Sequence, residues 1–312
     1  MKVEGIIEQI RKDNVSGAAE ISRKAAKALI LWSRQRKGDS HRQSMKELLA
    51  LGVSLVKAQP SMAPIFNLVN RILLEVEGLE EGEQIRKKVE GLAGKCLEEM
   101  DRRAAQIAAR TNSIINSPSI IMTYSYSSSV LESLIYARKA GKRFGVICGE
   151  SRPLFEGRNL VRRLGREGIK SRLVIDAGLS SFLKDADLVL IGADSLTREG
   201  VVNKIGSHGL AVLARAQGVP FFTICGIDKF VPRQFSRRQE IELKNPREVL
   251  KRPIKNVAAI NYYFDITPLS LLSGVICEDG VLARREILRR LSKVKVSSRL
   301  IDSLSLAPPR YR

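Results

Sequence analysis

Apolar residues recur every three or four positions through the first part of the chain. Ile21, Ala25, Leu29 and Trp32 fall on one helical face; Leu48, Leu49, Leu51 and Val56 mark a second helix, Ile85, Val89 and Leu92 a third, and Ile107 continues the pattern. Gln59-Pro60-Ser61 and the glycine-bounded stretch 78–82 punctuate it in the manner of a helical bundle. A polar segment with a proline, TNSIINSPS at 111–119, ends the region, so a helical N-terminal domain is expected over 1–115.

Beyond that point short apolar runs at 120–123, 144–148, 173–175, 188–191 and 221–224 alternate with amphipathic stretches such as 130–140 and 210–217. Runs apolar throughout suit strands buried on both faces, and their alternation with helices suits βαβ units and a parallel sheet. Residues 116–312 are therefore expected to form an α/β ligand-binding domain. A sixth strand is read at 262–266, after a basic, irregular stretch at 229–255.

Composition narrows the class. With 44% hydrophobic and 28% charged residues among 312, the chain can bury a real core, and no apolar run reaches the roughly 18 to 20 residues of a membrane span. The opening MKVEGIIEQIRKDN has charges within its apolar stretch, as an amphipathic helix does and a signal peptide does not. A cytoplasmic protein with no membrane partner is expected. Four scattered cysteines without a CxxC pair, and two histidines, indicate neither a disulfide framework nor a zinc site; no metal and no cofactor are expected. The net charge of +20 draws polyanions in general: a phosphorylated metabolite, an acidic protein or nucleic acid. Its cations are spread through helix-like stretches at 162–166, 284–290 and 293–299 with few aromatics between them, which fits a solvated surface better than a dedicated nucleic-acid groove.

In open parallel sheets ligands bind beyond the carboxyl ends of the strands. Every expected strand here ends in polar residues. The first leads into Tyr124-Ser125-Tyr126-Ser127-Ser128-Ser129, where the hydroxyls either hold a phosphate at a helix start or cap that helix. Arg152, after the second strand, suits either a bidentate phosphate contact or a surface ion pair. Asp176 reads as a cap for the helix that follows it. Asp194 ends the fourth strand, and Gly200, Asn203, Lys204 and Gly206 supply turn flexibility, an amide and a cation before another helix. His208 reads as packed or capping, and His41 as solvent-facing in an interhelical loop. No GxGxxG, Walker loop or Ser-His-Asp constellation is present, which disfavours a dinucleotide oxidoreductase, a P-loop nucleotidase or a hydrolase.

Five ordered motifs carry a family resemblance. Thr123-Tyr-Ser-Tyr-Ser127, Glu150-Ser-Arg-Pro153 with Gly157, Ala186-Asp-Leu-Val-Leu-Ile-Gly-Ala-Asp194, Gly200-Val-Val-Asn-Lys-Ile-Gly206 and Phe264-Asp-Ile-Thr-Pro268 together resemble the translation initiation factor 2B alpha/beta/delta family. Its superfamily also holds the methylthioribose-1-phosphate and ribose-1,5-bisphosphate isomerases. The resemblance implies a Rossmann-like C-terminal domain and a homodimer formed through it. For the isomerase branch it implies a proton-transferring cysteine and aspartate, and a sugar phosphate held by an Asn-Lys pair and a later lysine. Asp194, Asn203, Lys204 and Lys229 match those positions, whereas the cysteine position holds Ser125. The isomerases also carry an arginine before the Gly-Ala of their first helical motif and another before a Pro-Thr motif; here Ser16 precedes Gly17-Ala18, and Gln59 precedes Pro60.

A serine hydroxyl is far too weak an acid to lend and recover a proton as a thiol does, unless a base activates it. The expected function is thus an initiation factor 2B alpha-like regulatory protein that binds a phosphorylated sugar or nucleotide. Asp194 and Ser125 hold the catalytic positions, and Gly17, Ala18, Ser127, Arg152, Asn203, Lys204 and Lys229 the substrate-binding ones. A sugar-phosphate aldose–ketose isomerase and a basic nucleic-acid or ribosome-associated protein stand as alternatives.

Overall fold

A computed structural model of the chain describes residues 2–13, 16–35, 40–232, 241 and 243–304. Their contacts gather into two units, one from the described residues of Met1–Arg102, Asp228–Glu240 and Arg290–Arg312, the other from those of Arg103–Ile227 and Ile241–Arg289.

The first unit is helical. It contains α1 (Val3–Lys12), α2 (Ala18–Gln35), α3 (His41–Ala58), α4 (Ala63–Val76) and the part of α5 (Gly82–Ile114) up to Arg102. The periodic residues Ile21, Ala25, Leu29 and Trp32 are all buried, as their spacing requires. Ser40 caps α3 by accepting from Gln43 N–H, and Pro64 sits in the first turn of α4, where a missing N–H costs nothing. The same helix buries Ile65, Phe66, Val69, Ile72 and Leu73, each worth about 1.5–3 kcal/mol of transfer from water. Gln59, which precedes Pro60, is buried and donates to the carbonyls of Ile10 and Asp13, both at 3.0 Å. Its amide thus closes the end of α1. Asn70 draws the last stretch of chain into this unit through Lys295 O at 2.9 Å and Ser297 N–H at 2.8 Å.

The second unit is α/β, with the doubly wound, mostly parallel sheet of a Rossmann-like fold. In chain order it contains β1 (Ser119–Thr123), α6 (Ser128–Lys139), β2 (Phe144–Gly149), α7 (Glu156–Arg166), β3 (Ser171–Val174), α8 (Leu179–Phe182), β4 (Leu188–Ile191), β5 (Ser195–Leu196), β6 (Val201–Lys204), α9 (Ser207–Ala216), β7 (Phe221–Ile224), β8 (Phe264–Thr267), β9 (Gly274–Cys277) and β10 (Gly280–Leu282). The main sheet has the order β10-β9-β7-β4-β1-β2-β3, parallel except for β10. β4 is buried along its whole length at the centre, as its unbroken Leu-Val-Leu-Ile demands.

Three expectations are corrected and one strand is added. The sixth strand forms at Phe264–Thr267 and pairs antiparallel with β6 in a separate three-stranded sheet, β5-β6-β8; its half-buried face suits that small sheet and not a fully covered one. Asn203 and Lys204 lie on β6, a strand not among the six expected. β3 is an edge and not a fully buried strand: it pairs with β2 alone among the described residues, and Leu173 and the following Ile175 are exposed by 45% and 65%. His41 opens α3 instead of sitting in a loop. Of the basic stretch at 229–255, residues 233–240 and 242 lie outside the described residues. α5 ends at Ile114, next to the expected domain boundary at 115/116, while the compact units part at 102/103.

One glycine sets how closely α7 approaches β2. A Cβ on Gly157 would lie 1.8 Å from the Gly149 carbonyl oxygen, so the helix start and the strand end meet backbone to backbone. Gly91, inside α5, has nothing within 4 Å of such a Cβ. Gly157→Ala is expected to destabilise by about 1–3 kcal/mol or more, and Gly91→Ala to stabilise by up to about 1 kcal/mol. Urea denaturation of the two variants reads both signs.

Candidate functional site

The carboxyl ends of β1, β2 and β4 converge on the loops that carry the candidate residues. Ser127 is the N-cap of α6, its Oγ accepting from Val130 N–H at 3.3 Å. Gly192 makes room for it, since a Cβ there would lie 2.5 Å from Ser127 Oγ. Ser125 is buried and left-handed, with φ 67°. Its N–H donates to Ser151 Oγ at 2.8 Å, and Ser151, also left-handed at φ 65°, donates its own hydroxyl to Gly149 O at 3.2 Å. Left-handed backbone at residues with a side chain costs of order 1–3 kcal/mol each and persists only where surrounding bonds hold it. Asp176 supplies those bonds. Its two carboxylate oxygens accept from Ser151 N–H and Arg152 N–H, both at 2.7 Å, so it ties the end of β2 rather than capping its own segment.

Tyr124 fills the space between these loops. A Cβ on Gly149 or Gly206 would collide with its ring or hydroxyl, at 2.7 and 2.9 Å. Burial pushes the phenol up, and the neighbouring Asp176 carboxylate adds to the effect. Arg152 is exposed and its guanidinium lies 5.5 Å from the centre of the Phe155 ring.

The small antiparallel sheet positions the rest. Asp194, half-buried, donates its N–H to Val202 O at 2.9 Å, which sets it between β4 and β5. Asn203 Nδ2 donates to Ser207 Oγ at 3.0 Å, and that hydroxyl donates to Lys204 O at 2.7 Å. Lys204 Nζ lies 2.5 Å from Glu156 Oε1, with the two side chains only 4% and 8% exposed. It also stands 4.9 Å from the centre of the Tyr263 ring, a cation–π distance. Glu156 Oε2 is buried with no hydrogen-bond partner among the described residues. Asp265, on β8, accepts from Gly206 N–H at 2.7 Å and from His208 N–H at 3.2 Å at the start of α9. Burial raises its carboxyl above the ordinary 3.8, against the pull of those two N–H donors.

Ser125, Ser127, Arg152, Asp194, Asn203 and Lys204 therefore belong to strand ends of the α/β unit. Gly17, Ala18 and Lys229 belong to the helical unit: Gly17 O accepts from Glu20 N–H at 3.0 Å, Ala18 is buried at the start of α2, and Lys229 is buried in a turn whose Asp228 and Phe230 carbonyls are held by Asn67. Glu156 and Asp176 escaped the sequence reading as site residues. An acid in the first turn of a helix is common for dipole reasons alone, so Glu156 carries no signal until its partner is placed beside it. Among the described residues no cluster of His, Cys, Asp and Glu could hold a metal ion, and no helix is long and apolar enough to cross a membrane.

Two outcomes follow from these charges. Removing one member of a buried ion pair strands the other, so Lys204→Met and Glu156→Leu are each expected to cost about 3–5 kcal/mol, with most of it recovered in the double variant. Additive losses in denaturant titrations would contradict the pairing. Asp265, with its raised value, binds its proton more tightly in the fold, so it favours the folded state in acid and that contribution is lost as pH rises through the raised value. Relative to Asp265→Asn, wild-type stability is expected to fall as pH climbs above 3.8, and a pH-independent difference would contradict it.

Comparison with known proteins places the chain. The model of the initiation factor 2 subunit family matches residues 14–284. A protein of Pyrococcus furiosus named putative translation initiation factor eIF-2B subunit 2-like is 34% identical over 284 residues, covering 90% of this chain and 96% of that protein. The ribose 1,5-bisphosphate isomerase of Archaeoglobus fulgidus is 30% identical over 282 residues, covering 88% of each chain. Among solved structures, the translation initiation factor eIF-2B of Pyrococcus horikoshii matches with a TM-score of 0.79 and 28% identity, over 90% of this chain and 96% of that one. The resemblance read from the five motifs is thereby shown, and the relatives include both initiation-factor-like proteins and sugar-phosphate isomerases. The chain belongs to the initiation factor 2 subunit family.

Proposed function

We propose that the chain is a regulatory binding protein that takes a phosphorylated sugar or nucleotide at the strand ends of its α/β unit and does not isomerise it. Asp194, Asn203 and Lys204 form the centre of this reading, and Ser125, Ser127 and Arg152 of the same unit belong to it. A homodimer in the cytoplasm is part of the same proposal.

The observation that carries it is a built site with a positioned lysine donor and no proton carrier of thiol type. Lys204 has three donors, of which Glu156 takes one, so its ammonium retains hydrogen-bonding capacity for ligand oxygens. The proton carrier is another matter. Ser125 stands in the cysteine position, its N–H is spent on Ser151 Oγ, and no base among the described residues is hydrogen bonded to its hydroxyl. Cys148, at the end of β2, does not substitute for it. Its Sγ is buried against the carbonyls of Gly149 and Gly157, and burial pushes the thiol far above its usual range.

The isomerase reading draws on the relatives that bear that name and would assign Asp194 the proton transfer. Incubation with ribose 1,5-bisphosphate and methylthioribose 1-phosphate separates the two. The expected result is a rise in melting temperature without ketose product, since a ligand at a hundred times its Kd stabilises a fold by about 2.7 kcal/mol. Asp194→Ala should abolish the rise. Ketose formation would overturn the non-catalytic reading, and an undiminished rise in the Asp194 variant would overturn the site.

A further inference from the structure

β3 ends the main sheet, and its outer side carries no further strand among the described residues. On its inner side Val146 N–H reaches Lys170 O at 3.0 Å and Glu150 N–H reaches Val174 O at 2.9 Å. Alternate residues of a parallel strand turn their N–H and C=O to the same neighbour, so Ser171 and Leu173 turn theirs to the open edge.

Two clefts adjoin this edge and share Ser171. One, of about 400 Å³, lies at the amino ends of β1, β2 and β3; Ile120, Phe144 and Val146 line it together with Arg143, Lys170 and Arg172. The other, of about 430 Å³, lies between α7 and β3; Val161, Ile169 and Leu173 line it together with Arg158 and Arg162. Arg172 and Leu173 are consecutive, so they point to opposite faces of the strand, and each lines one cleft.

The charge around the edge is unbalanced. Neither Arg143 nor Lys170 makes a side-chain hydrogen bond or ion pair among the described residues, and the carboxylate paired with Arg172 is Asp185 at 4.0 Å. Arg162 donates to the neutral Asn159 at 2.7 Å, while Arg158 pairs with Glu150 at 2.7 Å. Leu173 and Ile175 meanwhile remain exposed by 45% and 65%.

Open main-chain donors and acceptors, an apolar lining to either side and surplus cations are together what an extended peptide uses when it adds to a sheet edge: main-chain bonds hold it, and side chains on alternate faces select it. Nucleic acid would satisfy the cations but not the main-chain groups of Ser171 and Leu173. We propose that β3 is a docking edge for an extended segment of a partner protein that alternates acidic and apolar residues, and that this segment adds to the seven-stranded sheet as a further strand. The docking reading does not rest on the ligand-binding one.

The test uses the full chain and a short fluorescein-labelled peptide alternating glutamate with valine. Saturable binding by anisotropy is expected, together with slowed amide hydrogen exchange at Ser171 and Leu173. The same peptide N-methylated at alternate amides should bind at least about tenfold more weakly, as should the wild-type peptide to Lys170→Glu/Arg172→Glu, in which two surface charges are reversed. Both replaced residues are exposed, and an unchanged melting temperature checks that the variant folds. Equal binding of the N-methylated peptide would reduce the effect to general charge and overturn the proposal, as would equal binding to the reversed-charge variant. Exchange protection at Ser171 and Leu173 that rises with protein concentration alone would assign the edge to a second copy of the chain and overturn it likewise.

Discussion

A lysine and a glutamate that meet out of water organise the candidate site. Lys204 comes from a small antiparallel sheet and Glu156 from the first turn of α7, which rises from the main parallel sheet. Neither side chain tolerates such burial alone, because an uncompensated charge in a dry interior costs several kcal/mol. Their pairing therefore locks the three-stranded sheet to the start of α7. Asn203, next to Lys204 on β6, and Asp194, whose N–H bonds to β6 at Val202, take their places from the same anchor.

Around that anchor the loops are held by short-range hydrogen bonds and by the packed Tyr124 ring. Asp176 grips two backbone N–H groups at the end of β2, Ser151 passes the constraint on to Ser125, and Ser127 closes α6 against a glycine. Two left-handed serines in one cluster represent stored strain, and the carboxylate that fixes them sits on the neighbouring strand's loop. Such an arrangement suits recognition of a ligand of fixed shape. The site holds lysine and amide donors in place, and Ser125 offers a hydroxyl where the resemblance implies a thiol for an isomerase.

Much of this was legible in the chain itself, for identifiable reasons. Leu188 to Ile191 announces a central strand because both its faces are buried, and the helical unit shows its period because each helix has one apolar stripe. β6 gave no such sign: Val-Val is too short an apolar run to announce a strand, and a buried lysine makes sense only once its acid is known. The edge position of β3 was equally hidden, because composition marks a strand but not its neighbours. Ser127, Arg152, Asp194, Asn203 and Lys204 were read from their places after strand ends, whereas Glu156 and Asp176 act through partners far away in sequence. Gln59 shows the reverse case: its place in the chain suggested a lost phosphate ligand, and its contacts show a structural amide closing α1.

The central claim is that the Lys204–Glu156 pair forms the core of a ligand site. Nitrogen-detected NMR of the Lys204 ammonium during titration with ribose 1,5-bisphosphate tests it most directly. The account predicts a slowly exchanging ammonium signal in the free protein, as burial and the Glu156 bond require, and a saturable shift of that signal as ligand binds. A fast-exchanging ammonium, or a signal that stays in place while ligand binds elsewhere, would contradict it.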